Sequence, residues 1–306
     1  MKKSISSIVF DVFNAIFLAV FAFVCLFPYW NIVATSLVGA NEFYNKAIIL
    51  IPESPRFDAY LFVVASDWVL NGLKMSVAIT VISTLWQLFL IITVAYGLTE
   101  EKLPGRKFFN YFFIIPSYIV GGLIPYYFVV ARFLNLGDTI IAVTMCMSAN
   151  AFSWIVFRTF FKEIPKSLLE SARIDGAGEF KILYNVILPL SKPAVATVAL
   201  FIAVGAWNDW FRPMIFFTDD NNYPLPLILR RLVLEQSNSG GRGGAGPRIE
   251  EARKKINQRY GIDSSRIFVE ALKASVIVAA TLPVILVYPF LQKYFARGVM
   301  VGSVKA

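Results

Sequence analysis

The chain of 306 residues is 57% hydrophobic and only 16% charged, and its mean hydropathy is +0.64. A soluble globular domain of this length rarely reaches these values, so the composition indicates a membrane protein. Lys and Arg outnumber Asp and Glu by 29 to 20. In a membrane protein this excess reports the orientation of the loops, so we infer no nucleic acid partner from it.

Uncharged apolar runs recur along the whole chain. A helix that spans a bilayer needs about 20 mostly apolar residues. Five runs approach or exceed this length, and a sixth is shorter but continues beyond Asp209. The sequence therefore predicts an all-α, polytopic membrane protein with six transmembrane helices in one domain, residues 1–306. The predicted helices lie at about residues 8–30, 75–98, 108–131, 139–158, 193–217 and 270–292.

The distribution of basic residues predicts the orientation of these helices. With the N-terminus inside, the inner segments carry fourteen Lys and Arg residues, which fits the excess of positive charge on cytoplasmic loops. We therefore predict that both termini are cytoplasmic, with external loops at residues 37–70 and 219–268. The second external loop carries nine basic residues and is an exception to the rule. It contains a glycine-rich stretch at residues 237–247, predicted to be a flexible linker, and a charged helix at residues 249–260.

The residue inventory excludes several kinds of site. The chain has no His, and Cys25 and Cys146 both fall in apolar runs, so the sequence predicts neither a metal site nor a disulfide. The glycine-rich stretch lacks the Lys-Ser or Lys-Thr ending of a phosphate-binding loop. No paired catalytic groups stand out. We therefore predict that the chain is not an enzyme and binds no cofactor itself.

The inner loop at residues 162–192 has more structural signals than a simple connector needs. Ser167 is followed three residues later by Glu170, which is the spacing of a capping box. A short helix is therefore predicted over about residues 168–175. Gly176 is expected to end this helix.

A second amphipathic stretch follows in the same loop, and Pro189 is expected to end it. Its apolar residues recur at helical spacing, at Phe180, Leu183, Tyr184 and Ile187. The residues alone leave two interpretations open. The two helices could transfer force from a partner protein to the membrane helices, or they could rest on lipid headgroups as an interfacial pair.

The loop reads Glu-Ser-Ala-Arg-Ile-Asp-Gly-Ala from Glu170 onward, and Ile-Leu-Pro at residues 187–189. This resembles the EAA loop of binding-protein-dependent ABC importer permeases, in which Glu-Ala-Ala is followed four residues later by glycine and then by Ile-x-Leu-Pro. The sequence departs from that pattern at Ser171, where the pattern has alanine, and in the missing residue between Ile and Leu. The resemblance implies that the first helix is a coupling helix that docks into a cleft of a separate ATPase subunit. It assigns the coupling role to Glu170, Ser171, Ala172, Asp175, Gly176, Ile187 and Pro189.

The likeness extends over essentially the whole chain. Trp-Asn-Asp-Trp-Phe-Arg-Pro at residues 207–213, Tyr-Pro-Leu-Pro-Leu at residues 223–227 and the tail at residues 292–298 are similar to the carbohydrate-importer branch. That branch includes the smaller permease of the maltose system. The first stretch looks closer still to permeases for complex oligosaccharides, such as the alginate importer and the lipoprotein-linked polysaccharide permeases.

The resemblance implies a type I ABC importer permease fold in a bacterial cytoplasmic (inner) membrane. It also implies the partners. These are a second homologous permease subunit, two ATPase subunits that bind ATP and Mg, an external or periplasmic solute-binding protein, a sugar substrate and the lipid bilayer.

The break after the fifth predicted helix holds a candidate substrate path. Asn208 and Asp209 lie between Trp207 and Trp210. Aromatic faces stack on sugar rings, and amide and carboxylate groups form hydrogen bonds with hydroxyls. The same four residues also fit an aromatic belt at the outer membrane surface. The sequence leaves both interpretations open.

Two other functions compete with a sugar importer. An ion-driven secondary transporter should place ionisable residues inside its helices, whereas the five long apolar runs contain none. Such a transporter also has no need for a structured inner loop. The other competitor is an ABC permease for a solute other than a sugar.

Overall fold

The computed structural model describes residues 4–46, 48–101, 103–119, 122–146, 151–238, 246–260 and 268–303. Within these ranges the chain is mostly helical and has no strand. The predicted all-α class is therefore confirmed. Helices suit a chain in lipid, because each helix satisfies its backbone hydrogen-bonding groups internally where no water can do so. The middle of the predicted glycine-rich linker, residues 239–245, lies outside the described residues.

In the first part of the chain, long helices alternate with short ones. The elements are α1 (Ile5–Thr35), α2 (Ala40–Asn45), α3 (Asp58–Ala65), α4 (Asp67–Thr99), α5 (Arg106–Tyr118), α6 (Leu123–Tyr127), a π-helical segment (Phe128–Phe133), α7 (Ile140–Thr144) and α8 (Ala151–Glu163).

The second part of the chain begins with short inner helices and ends with the longest helix. The elements are α9 (Lys166–Ile174), α10 (Glu179–Ile182), a second π-helical segment (Leu183–Ile187), α11 (Leu188–Leu190), α12 (Lys192–Trp207), α13 (Phe211–Phe216), a 3₁₀ turn (Asp220–Asn222), α14 (Leu225–Asn238), α15 (Gly246–Tyr260) and α16 (Val269–Ser303).

Three of the described helices contain stretches long and apolar enough to cross a membrane: Ser7–Thr35, Asp67–Thr99 and Val269–Pro289. A fourth candidate is a bent pair, because Glu179–Leu190 meets Lys192–Trp207 at 86°. These stretches include the first and second spans expected from the sequence, most of the sixth, and only residues 193–207 of the fifth, which was predicted to continue to residue 217. The total of six transmembrane helices stays a prediction.

Two of the predicted spans are not continuous helices. The predicted helix at residues 108–131 is divided, because α5 ends two residues after Pro116 and α6 begins only after Gly122. Gly122 has a φ of 78°, in the left-handed region that interrupts a right-handed helix. The predicted helix at residues 139–158 is replaced by α7 and α8, and residues 147–150 between them lie outside the described part.

The predicted external loops contain more helix than expected. The loop at residues 37–70 holds α2, α3 and the start of α4, which begins at Asp67 and therefore well before its predicted start. The loop at residues 219–268 holds all of α14 and all of α15. α15 confirms the helix predicted at residues 249–260, but this helix is not simply solvated. It packs against α3 and buries Ile256 completely.

The helices fall into two compact units. The first unit comprises residues 1–70 and 229–282, and the second comprises residues 71–228 and 283–306. In the first unit, the hydroxyls of Tyr29 on α1 and Thr281 on α16 lie 2.8 Å apart. α1 exposes almost all of its apolar side chains, which is stable against lipid and unstable in water.

The second unit has an apolar core that joins three long helices to the inner loop. α4, α8, α12 and the loop after α9 all contribute to this core. The core residues are Ile91, Ile92, Ala95, Leu98, Trp154, Phe157, Phe161, Ile182, Leu183, Ile187, Ala194, Val198 and Ile202. The inner loop is therefore part of the packed structure of the second unit and not a loose connector.

The start of α14 lies very close to α4 in the second unit. The Leu225 amide donates a hydrogen bond to the Ser76 hydroxyl at 2.8 Å, and Gly72 faces Tyr223 and Ile228. Serine and glycine are common at helix contacts in membranes, because small side chains let two backbones approach closely. Gly72 is therefore expected to be needed for this contact.

We expect Gly72→Ala to destabilise the protein. A Cβ atom at this position would lie 3.1 Å from the Tyr223 carbonyl oxygen and would overlap the end of the Ile228 side chain. Gly97→Ala is the matched control, because Gly97 lies in the same helix and its Cβ would meet no atom within 4 Å. Thermal unfolding in detergent should give a lower Tm for Gly72→Ala than for Gly97→Ala. Equal Tm values for the two variants would contradict this close contact.

Candidate functional site

The predicted coupling helix is present but starts earlier than expected. α9 begins at Lys166 with Pro165 as its N-cap, and no side chain caps it. The amide of Leu168 already donates to the Pro165 carbonyl oxygen at 3.1 Å. Ser167 therefore lies inside the first turn, and its predicted capping box with Glu170 is wrong. Pro165 is itself outside the helix, with a ψ of 127°, and the helical turn starts at the residue that follows it.

The predicted glycine stop is confirmed. α9 ends at Ile174, and Gly176 has a φ of 77°, which side chains other than glycine tolerate poorly. The Ala177 amide donates to the Ala172 carbonyl oxygen at 3.0 Å, and the Gly176 amide donates to the Arg173 carbonyl oxygen at 3.1 Å. These are the two hydrogen bonds of a Schellman motif, which satisfies the last carbonyl groups of the helix.

The second helix of the loop departs from a regular α-helix. α10 passes into the π-helical segment, whose wider turns change which side chains face the core. Ile182, Leu183 and Ile187 are buried, whereas Phe180 and Tyr184 are 74% and 54% exposed. The predicted apolar face is therefore correct at Leu183 and Ile187 and wrong at Phe180 and Tyr184.

Pro189 does not end this second helix. It lies in the first turn of α11, where its missing amide hydrogen is not needed, and the helix continues to Leu190. The chain turns at Ser191, and α12 leaves at 86° to the segment Glu179–Leu190. The angle between the two segments is therefore close to a right angle, and the predicted position of the first segment across the inner membrane face stays a prediction.

α9 presents most of its surface outward. None of its residues is buried, and Ile174 is 86% exposed. Leu169 and Ala172 form its contact with the core of the second unit. Among the seven residues assigned to coupling, Ala172 is half-buried and Ile187 is buried, so Ile187 can hold the loop in place but cannot touch a partner. The exposed ones are Glu170, Ser171, Asp175, Gly176 and Pro189.

Arg173 joins α9 to two other parts of the second unit. Its Nη2 lies 2.8 Å from Oε2 of Glu100, just after α4, and its Nε lies 3.1 Å from Oε1 of Glu179 at the start of α10. The Tyr96 hydroxyl also donates a hydrogen bond to Glu179. The Tyr96 hydroxyl and then Arg173 hold the pKa of Glu179 below its ordinary value. The hydrogen bonds to Glu100 and Glu179 raise the pKa of Arg173, so these charges persist at neutral pH.

A cleft of about 460 Å³ lies at the break between α12 and α13. Its wall combines aromatic faces with amide, hydroxyl and charged groups, a mixture typical of small-molecule sites. The lining residues are Gln87, Ser153, Phe201, Ile202, Gly205, Ala206, Asn208, Asp209, Phe211 and Arg212.

The two charged residues of the cleft neutralise each other. Nε of Arg212 donates to the Asp209 carboxylate, and Nη1 of Arg212 donates to the Val143 carbonyl oxygen at 3.0 Å. Oδ1 of Asp209 also accepts hydrogen bonds from the amides of Phe211 and Arg212, at 3.1 and 3.2 Å. The two side chains are only 13% and 14% exposed. Asp209 therefore stabilises the start of α13 and adds no net charge to the cleft once paired.

Only two of the four residues predicted for the substrate path, Trp207, Asn208, Asp209 and Trp210, line the cleft. Asn208 is exposed and lines the cleft together with Asp209. Trp207 is buried and Trp210 is half-buried, and neither lines the cleft. The aromatic rings in the cleft wall are instead those of Phe201 and Phe211. None of the coupling residues lines this cleft.

Sequence reasoning missed three polar residues of the cleft. Gln87 and Ser153 come from α4 and α8, and Arg212 follows the predicted quartet. Gln87 could have been found, because a lone amide inside an apolar span is costly in lipid and usually functional. Ser153 gives no such signal, since small hydroxyl residues are common at helix contacts in membranes.

Over residues 1–301 the sequence matches the family described as "Binding-protein-dependent transport system inner membrane component". The chain belongs to this family. The permease is 36% identical over 300 residues to the polygalacturonan/rhamnogalacturonan transport system permease protein YtcP of Bacillus subtilis (strain 168), covering 97% of this chain and 98% of that protein. It is also 36% identical over 297 residues to protein LplC of the same organism, covering 97% and 95%.

The fold of the permease is similar to a solved bacterial ABC transporter involved in the import of the acidic polysaccharide alginate. The TM-score is 0.83 at 28% identity, covering 96% of this chain and 99% of that chain. A second solved structure is a bacterial alginate ABC transporter in complex with alginate pentasaccharide-bound periplasmic protein. It shares the fold at a TM-score of 0.52 and 17% identity. The resemblance to ABC importer permeases is thereby confirmed, and the ion-driven alternative is set aside.

We expect Arg212→Ala to destabilise the permease by on the order of 3 kcal/mol, because it leaves the Asp209 carboxylate buried without its cation. Asp209→Asn should cost less, since its amide oxygen can still accept from the first amides of α13. Combining Asp209→Asn with Arg212→Ala should recover part of the loss. Unfolding of the purified protein in detergent measures all three variants. A wild-type Tm for Arg212→Ala would contradict the stabilising role of the ion pair.

Proposed function

We propose that the permease carries an oligosaccharide across the bacterial cytoplasmic membrane after an external binding protein has delivered it. The observation that carries this proposal is the likeness to the alginate importer chain over almost the full length of both proteins. The curated relatives add support, because several of them are permeases for polysaccharides or oligosaccharides. In this proposal the chain works with a second, homologous permease subunit and with two ATPase subunits.

Coupling to the ATPase subunits is proposed to occur at α9. The helix is rigid at its end because of the Schellman motif, and Glu170, Ser171 and Asp175 are exposed on it. A helix that projects in this way can lie in a groove of a partner and transmit the movement of that partner. ATP and Mg bind to the partner subunits, and the permease contributes no covalent chemistry and no cofactor of its own.

The orientation follows from the same proposal. An ATPase reaches α9 only from the cytoplasm, so the inner loop, the N-terminus and the C-terminus lie on that side. The excess of basic residues on these segments supports this orientation. The external segments at residues 37–70 and 219–268 then face the binding protein, and the six predicted spans cross the membrane between them.

The cleft beside α13 is proposed to be part of the sugar path. Asn208, Gln87 and Ser153 can form hydrogen bonds with sugar hydroxyls, and Phe211 can stack on a sugar ring. Because Arg212 neutralises Asp209, the cleft suits uncharged hydroxyl groups better than a single carboxylate. The two tryptophans of the predicted quartet, Trp207 and Trp210, then support the cleft from outside its lining.

We expect Glu170→Lys to uncouple the assembled transporter. The substitution reverses an exposed charge on α9 and should weaken binding of the ATPase subunits by about ten-fold or more, a change of about 1.4 kcal/mol. Copurification of the ATPase subunits and uptake into proteoliposomes are the measurements. Lys181→Glu is the matched control, because Lys181 is an equally exposed charge in the same loop. Full uptake and full copurification with Glu170→Lys would overturn the coupling role of α9.

We expect Asn208→Ala to raise the KM for uptake by about five-fold, the effect of one lost hydrogen bond of about 1 kcal/mol. Copurification of the ATPase subunits should not change. The probes are oligogalacturonides and alginate oligosaccharides presented with the binding protein. Asn221→Ala is the control, since Asn221 is exposed on the 3₁₀ turn and does not line the cleft. An unchanged KM contradicts the path, and failure to import either probe contradicts an acidic oligosaccharide as the substrate.

A further inference from the structure

We propose that an inner ion-pair cluster is the element that transmits the movement of α9 to α4. The cluster consists of the pairs Arg173 with Glu100, Arg173 with Glu179 and Lys166 with Glu101. This inference rests on the proposed coupling role of α9. It assigns a positioning role to Arg173 and Lys166, neither of which was expected to contribute from the sequence motif.

The cluster holds α9 at both ends. Near its start, Nζ of Lys166 lies 3.1 Å from Oε1 of Glu101, and near its end, Nη2 of Arg173 lies 2.8 Å from Oε2 of Glu100. The two acceptors are adjacent residues that directly follow α4. Two contacts separated along one helix resist rotation and tilting, whereas a single contact would act as a pivot.

Apolar packing alone holds α9 weakly. None of its residues is buried, and only Leu169 and Ala172 on it pack against the core of the second unit. Exposed ion pairs contribute little energy when they are isolated, and more when several charges form a network. Arg173 is bound to two carboxylates, and one of them, Glu179, is held in turn by the Tyr96 hydroxyl on α4. The cluster therefore connects α9, α10 and the inner end of α4.

α4 leads directly from this cluster to the cleft. The helix is continuous from Asp67 to Thr99 and has no proline, so we expect a displacement at its end to be carried along it. Gln87 lines the cleft and lies on the same helix, about 18 Å from Thr99 at 1.5 Å per residue. A displacement of α9 that is transmitted through Glu100 and Glu101 would therefore reach the polar wall of the cleft without passing through α12.

The first test is the ratio of substrate transported to ATP hydrolysed in the assembled transporter. Arg173→Gln should lower this ratio by at least about five-fold, the lower end of common coupling factors, while the ATPase subunits still copurify. Lys166→Glu should also lower it, and adding Glu101→Lys should restore part of it. Lys181→Gln, an exposed charge in the same loop outside the cluster, should leave the ratio unchanged. An unchanged ratio with Arg173→Gln overturns the inference, as does a loss of copurification equal to that of Glu170→Lys.

The second test measures a distance in the permease without its ATPase subunits, so its outcome does not depend on whether α9 binds them. Spin labels are placed at position 167 on α9 and position 89 on α4, in a permease whose Cys25 and Cys146 are replaced by Ser. The double substitution Arg173→Gln and Lys166→Gln should broaden the distribution of distances between the labels. An unchanged distribution overturns the cluster as a link between the helices. Failure of Glu170→Lys to release the ATPase subunits, together with a broadened distribution, would instead overturn only the docking site.

Discussion

Burial of Ile182, Leu183 and Ile187 against the inner ends of α4, α8 and α12 is the interaction on which the inner side of the permease depends. Without it the loop after α9 would be a flexible connector between two spanning helices. With it, the loop becomes part of the core of the second unit and has a defined orientation. Burying these side chains removes apolar surface that would otherwise meet water wherever the loop lies outside the lipid. The exposed face of α9 can be presented to a partner only because this packing holds the loop.

The charged groups of the second unit differ in burial between the loop after α8 and the cleft beside α13. Around that loop, the carboxylates and cations are exposed to solvent and join helices that have little apolar contact. At the cleft, Arg212 and Asp209 are mostly buried, so each needs the other to offset the cost of leaving water. The inner pairs can therefore exchange partners at small cost, whereas the cleft pair is a fixed part of the structure. This difference suits an inner side that moves and a break in α12 that keeps its shape.

The sequence was sufficient to predict the helical class, the glycine stop at Gly176 and the family, because each depends on composition or on a few adjacent residues. It was insufficient where the outcome depends on geometry several residues away. The capping box at Ser167 failed because Pro165 is the N-cap and the helix already begins at Lys166. The apolar face failed at Phe180 and Tyr184, which are exposed, and Tyr184 lies in a π-helical segment that departs from α-helical spacing. In the candidate cleft, Asn208 and Asp209 were predicted and Gln87, Ser153 and Arg212 were not. Residues from α4 and α8 meet there only through the fold, and no spacing along the chain indicates this.

The π-helical segment Leu183–Ile187 has a consequence for movement. A π turn contains one residue more than an α turn, so the segment between α10 and α11 has one residue more than a regular α-helix would need there. If the π turn converted to a regular α turn, the helix on one side of it would rotate by about 100° relative to the helix on the other side, since an α-helix turns once in 3.6 residues. Only the hydrogen bonds of a single turn would have to be exchanged. The segment is therefore a site where the helix can switch between two discrete registers, with no stable position between them.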